Sequence, residues 1–175
     1  MKKSIQNPMI QILEGTVFIE DLEEFLQKLK KISRERNLTL QALDADKIAG
    51  KEHIMFAVEK AMNSFRKGSN IAYDLAKEIM IYAAGTRQIS RALRLGVHEG
   101  HNNIVLVAVG YEEEISAAGE EFNEIEPGHT LEYNGSKRNA VMEVFRITEE
   151  EIEAVGETRI PELVLERVAL VDVIK

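Results

Sequence analysis

Ile104-Val105-Leu106-Val107-Ala108-Val109 runs for six residues without a polar side chain. A strand with one wet face alternates apolar and polar residues, whereas an unbroken run of this length, rich in β-branched residues, reads as a strand buried on both faces. It therefore predicts the central strand of a sheet. Two weaker strand signals accompany it. Pro8 to Leu13 alternates loosely and is expected to end at Gly15, and Leu38-Thr39-Leu40-Gln41-Ala42-Leu43 alternates like a half-buried strand.

The remaining patterns are mostly helical. From Asp21, the apolar residues Leu22, Phe25, Leu26, Leu29 and Ile32 recur at helical spacing, with acids at the start and Lys30, Lys31 and Arg34 at the end, as the helix dipole favours. Ile54, Val58, Ala61, Met62 and Phe65 form one face of a helix running to about Lys67, with Gly68 as its stop. Asn70 is expected to cap a second helix closed by Gly85, and Thr86 a third carrying Ile89, Ala92 and Leu93 inward as far as Gly96. An acidic helix follows from Glu112. Asn134-Gly135 between Thr130 to Tyr133 and Ala140 to Ile147 predicts a hairpin. Thr148-Glu149-Glu150-Glu151 has the form of a capping box, and Pro161 opens a last helix with Leu163, Val164, Val168, Leu170 and Val171. The expected fold class is α+β: a single domain over residues 1–175, with a helical layer packed on a mostly antiparallel or mixed sheet.

A chain of 175 residues that is 45% hydrophobic can stabilise a core without staples. Cysteine is absent, which excludes disulfides, thiol nucleophiles and cysteine-containing metal sites, and favours a cytoplasmic location. No apolar run approaches the roughly 20 residues of a membrane span, and the residues from Met1 to Pro8 do not resemble a signal core. The net charge of -8 is unevenly spread: residues 1–46 carry -1, residues 47–110 carry +4 and residues 111–175 carry -11. The three consecutive helices of the middle segment thus form a basic unit in an acidic protein, a distribution compatible with an RNA-facing patch.

Catalytic patterns are sparse. Ala49-Gly50-Lys51 lacks the remaining features of a phosphate loop, and no G-x-G-x-x-G occurs. His98-Glu99-Gly100-His101 spaces its histidines three apart instead of four, around a glycine, so no metal site is expected there. The glutamate runs 112–114 and 149–151 sit at helix starts, where the dipole accounts for them. No catalytic residue and no cofactor are expected. What remains is a row of arginines, Arg87, Arg91 and Arg94, at i, i+4 and i+7 on one helix face. Guanidinium groups bind phosphate in bidentate fashion and stack on bases, so such a face suits a single-stranded RNA end. A solvated face is the alternative reading of the same pattern.

Gly68-Ser69-Asn70-Ile71-Ala72, then Glu78-Ile79-Met80-Ile81-Tyr82-Ala83-Ala84-Gly85-Thr86-Arg87-Gln88-Ile89, then Ala92 and Gly96, resembles the small kinase-binding subunit of the KEOPS complex, which makes threonylcarbamoyl-adenosine in tRNA. The terminal Glu166-Arg167-Val168-Ala169-Leu170-Val171-Asp172 is similar to the last helix of that family. The resemblance implies a noncatalytic subunit that binds and stimulates the kinase-like ATPase subunit and helps recruit tRNA through its 3' CCA end, with the other KEOPS subunits as indirect partners. It places Asn70, Thr86, Arg87 and Gln88 as candidate tRNA-binding residues, to which the arginine row adds Arg91 and Arg94. Leu163, Val164, Val168 and Val171 are the candidates for the kinase-like partner, because the last helix carries more apolar residues than one buried stripe requires. Two rival readings stand beside this one. The basic face could meet an acidic protein with no RNA contact, or Arg87, Gln88, His98 and Glu99 could serve a small enzyme.

Overall fold

The apolar run owes its lack of alternation to helices on both sides of the sheet. In the computed structural model, which describes residues 7–173, strands β1 (Met9–Ile19), β2 (Thr39–Asp44), β3 (Gly100–Gly110) and β4 (Glu126–Pro127) form one sheet in the order β2-β3-β1-β4, and every pairing is antiparallel. β3 is flanked by β1 over its full length and by β2 over residues 104–109. Successive side chains of a strand point to opposite faces. Val105, Val107 and Val109 accordingly enter one apolar cluster, and Ile104, Leu106 and Ala108 enter another.

The first cluster is covered by α2 (Lys51–Lys67), α3 (Leu75–Ala84) and α8 (Ile160–Leu170), through residues such as Ala57, Val58, Ile79 and Val168. On the second face lie α1 (Leu22–Glu35) and α5 (Glu112–Gly119), through Phe25, Leu29, Ile32, Ile115 and Ala118. The fold is α+β as expected, with helices packed on both faces of the antiparallel sheet. A third cluster, built from α6 (Arg138–Phe145), α7 (Glu149–Val155) and the first half of α8, holds Val141, Phe145, Ile152, Leu163 and Val164. The capping box at Thr148 forms as expected, with Thr148 Oγ1 accepting from Glu151 N–H and the Glu151 carboxylate accepting from Thr148 N–H.

Several local expectations are corrected. Gly15 does not end β1, which continues to Ile19; a Cβ there would lie 2.1 Å from the Glu126 carbonyl oxygen, so the glycine admits β4 alongside. α3 is capped by Asp74, whose carboxylate accepts from Lys77 N–H at 2.8 Å, and not by Asn70. The third helix of the basic unit shrinks to one turn, α4 (Ile89–Ala92), followed by a 3-10 turn over residues 93–95, and leaves Ile89 and Leu93 44% and 56% exposed instead of inward.

The hairpin around Asn134-Gly135 is absent. Thr130 and Leu131 donate their N–H groups to the Glu14 carboxylate, both at 2.8 Å, and their carbonyls accept from Lys137 Nζ at 2.7 and 3.0 Å. Those are the backbone groups that a ladder would require. Lys137 also donates to the Ile48 carbonyl at 3.0 Å and is almost fully buried, and that burial lowers its pKa against the pull of Asp46, Glu14 and Asp44. Past this anchor, Val141 and Phe145 at i, i+4 turn a core-facing helix where a strand was expected.

Candidate functional site

The segment from α3 into α4 sets the geometry of the basic unit. α3 is buried from Glu78 to Ala84, so its C-terminus delivers the chain from inside the protein. Gly85 then takes the left-handed conformation (φ 61°), and its N–H donates to the carbonyls of Ile81 and Tyr82. A Cβ at this position would also approach Arg167 Cβ to 2.9 Å. Thr86 is buried, donates its N–H to the Ile81 carbonyl at 3.2 Å, and accepts from Gln88 N–H through Oγ1 at 3.1 Å. It therefore shapes the turn into α4.

The arginine row divides at this turn. Arg87 Nη1 donates to the Val171 carbonyl at 3.0 Å, beyond the last turn of α8, where a cation complements the helix dipole. Arg91 and Arg94 instead line a cavity of about 340 Å³ together with Thr86, Lys47, Arg146 and one carboxylate, Glu143. Burial first, then the adjoining charges of Arg146 and Arg94, hold the Arg91 pKa below the ordinary arginine value. The site thus concentrates positive charge at some electrostatic cost, which an anion would relieve.

Sequence patterning gave no hint of Arg146 or Lys47. Arg146 lies past the end of α6 with φ 51°, an uncommon conformation for a residue with a side chain. Arg167 holds this corner from α8: Nε donates to the Phe145 carbonyl at 3.2 Å, and Nη2 reaches both Glu151 oxygens at 2.8 and 2.7 Å. Lys47 Nζ donates to the Arg94 carbonyl at 2.6 Å, which fixes the far wall. The helical period links neither residue to the arginine row.

Asn70 lies elsewhere. Its side-chain amide donates to the Ala72 carbonyl at 3.0 Å, in the loop entering α3, and the 10-residue helix, about 15 Å long, separates that loop from Thr86. The same loop is fastened by the buried Glu78 carboxylate, which accepts from Ser64 Oγ and from the N–H groups of Ile71 and Ala72. Gln88 is exposed at the start of α4.

The four residues expected to meet the kinase-like partner are buried within the chain. Leu163 and Val164 pack into the third cluster, while Val168 and Val171 pack into the first. α8 is broadly apolar because it joins two clusters, and these side chains offer a partner no surface. Its outer side is different. Leu165 and Ala169 of α8 adjoin Met55 and Phe56 of α2 in an open groove of about 640 Å³, edged by Glu52, Glu59, Glu162 and Glu166.

His98 Nδ1 lies 2.8 Å from the Glu99 carbonyl, and His101 packs edge-on against Phe18. Among the described residues no three His, Asp or Glu side chains are grouped to hold a metal ion, and no helix is long and apolar enough to cross a membrane.

These features belong to a small α+β protein that offers two charged surfaces of opposite sign, a guanidinium-lined pocket and an acid-edged apolar groove. The chain belongs to the family of kinase binding protein CGI-121, whose family model matches residues 18–172. Among its relatives, the regulatory protein Cgi121 of Methanocaldococcus jannaschii is 30% identical over 139 residues, covering 79% of this chain and 86% of the relative.

Proposed function

We propose that this protein is a noncatalytic, cytoplasmic subunit of the KEOPS complex that binds and stimulates the kinase-like ATPase subunit and recruits tRNA through its single-stranded 3' CCA end. Family membership supports the kinase-binding, regulatory half of this reading. The observation that carries the RNA half is the convergence of Arg91, Arg94 and Arg146 on one cavity beside Thr86. Its volume of about 340 Å³ falls within the range of small-ligand clefts. That size suits the last residues of a single strand, and the guanidinium groups supply phosphate contacts and flat faces for stacking. Gln88, exposed next to the same turn, is available for base contacts, whereas Arg87 serves chiefly to tie the turn to α8.

For the kinase-like subunit we assign the groove between α2 and α8, where Met55, Phe56, Leu165 and Ala169 form an apolar floor edged by four glutamates. A partner face carrying apolar residues among lysines or arginines matches it. Stimulation of the ATPase requires tighter binding to the active conformation of that partner than to the inactive one.

The test compares binding of intact tRNA with tRNA lacking CCA, and ATPase rates of the kinase-like subunit with and without saturating protein. The proposed role predicts weaker binding of the truncated tRNA and a faster ATPase with the protein present. Equal binding of both tRNAs would remove the CCA contact, and equal ATPase rates would remove the stimulation.

A further inference from the structure

β2 is an edge strand that is partly exposed at Thr39 and Gln41, while Leu40, Ala42, Leu43 and Asp44 are buried. In an antiparallel pair every other residue directs its N–H and C=O away from the partner. β3 occupies one side of β2, and among the described residues no backbone group of residues 39–43 bonds to the backbone of another element on the other side. The Ala42 carbonyl accepts a local bond from the Gln41 side-chain amide at 2.9 Å. Edge strands are normally blunted by proline, lysine or a bulge. β2 contains no proline, and its one charged residue is the buried Asp44 at its end.

Thr39 to Ala42 of this edge line a cleft of about 600 Å³ between α1, which covers one face of the sheet, and α3 with the 93–95 turn, which cover the other. Leu26, Met80 and Leu93 supply apolar walls, and Leu26 and Leu93 are 37% and 56% exposed. Lys30, Arg34 and Lys77 stand around the cleft, Lys77 paired with Asp74 at 3.8 Å. Lys30 and Arg34 form no ion pair among the described residues.

We propose that an extended segment of a partner protein adds to β2 as a fifth strand, with apolar side chains at alternate positions against Leu26 and Leu93, and acidic residues flanking them. Thr39 to Ala42 are the residues of β2 that line the cleft, which sets the paired part of the added segment at about four residues, one strand spacing of about 4.8 Å away. A second copy of this chain is the wrong occupant, because pairing β2 with β2 brings two sets of Lys30 and Arg34 together. Single-stranded RNA would match the charge but leaves the amide edge and the leucine walls without complementary groups. This surface is separate from both surfaces assigned to the proposed function.

The test uses fluorescein-labelled ten-residue peptides in which valine or leucine alternates with threonine, with two glutamates at each end, titrated with the intact protein. Saturable binding is expected, together with amide chemical-shift changes centred on residues 39–43. Methylating the peptide amides that face β2 should abolish binding, whereas methylating the alternate set should spare it. Lysine in place of the flanking glutamates, or the double variant Lys30→Glu/Arg34→Glu, should weaken binding at least tenfold. The proposal is overturned if no glutamate-flanked peptide binds, including versions with isoleucine or phenylalanine at the apolar positions, or if methylating the amides that face β2 leaves affinity unchanged. It is equally overturned if a single-stranded oligonucleotide competes for the β2 amides, or if sedimentation shows a dimer that the glutamate-flanked peptide dissociates.

Discussion

Arg87 donates to the carbonyl of Val171 at 3.0 Å, linking the turn at the end of α3 to the end of α8. Two segments 84 residues apart in sequence are joined there by a charge-assisted bond. Arg87→Ala should therefore destabilise the protein by about 1–2 kcal/mol, read as a lower urea midpoint with an unchanged denaturant slope. Arg94→Ala, whose side chain faces the cavity, should move the midpoint by less than about 0.5 kcal/mol.

Gly85 is constrained twice, by its positive φ and by the backbone and Cβ of Arg167. Gly85→Ala should cost about 2–3 kcal/mol, more than the strain of a left-handed alanine alone. Thermal unfolding checks this, with Gly68→Ala as the control. Gly68 shares the left-handed conformation but has open space where a Cβ would go, so its variant should lose only about 1 kcal/mol.

His53 provides a pH signature. It is buried, accepts from Ala49 N–H through Nδ1 at 2.9 Å and donates from Nε2 to the Ala83 carbonyl at 2.8 Å, which fixes the neutral tautomer. Burial, with a smaller contribution from the Lys137 charge, lowers its pKa to about 4 from an ordinary value of 6.5. The unfolded chain therefore binds the extra proton first, so the stability contributed by neutral His53 is complete above pH 6.5 and is lost as pH falls towards 4. The expected loss is about 3 kcal/mol. Comparing unfolding free energies of wild type and His53→Gln from pH 7.5 to 4 isolates it, and parallel curves would refute it.

The α2–α8 groove gives a charge-reversal prediction. Glu59→Lys with Glu166→Lys should weaken binding of the kinase-like subunit about tenfold while leaving tRNA binding unchanged, because both residues edge the groove and neither lines the arginine cavity. Titration calorimetry with each ligand separates the two effects.

The parts of the fold legible in the sequence were those set by local pattern. The run 104–109 implied burial on both faces, and Val105 and Leu106 do face different clusters. Thr148 and Glu151 specify their capping box within four residues. Features set by distant contacts were misread. Asn134-Gly135 carries a turn signal, yet Glu14 and Lys137 occupy the backbone groups of Thr130 and Leu131 that a ladder would use. Apolar residues on several sides of α8 implied a partner; Leu163, Val164, Val168 and Val171 go to two internal clusters, and Leu165 and Ala169 are left on the groove with α2. Arg91 and Arg94 were visible as a row; Arg146 joins them only because a left-handed corner after α6 is held by Arg167.

The most direct test of the central claim is the salt dependence of tRNA binding by wild type and by the triple variant Arg91→Gln, Arg94→Gln and Arg146→Gln. Each phosphate contact on a single strand contributes about 0.7 to the slope of log affinity against log salt. The proposed cavity predicts a slope shallower by about 2 for the triple variant, and matching affinities for tRNA with and without CCA. An unchanged slope, with CCA still preferred, would contradict it.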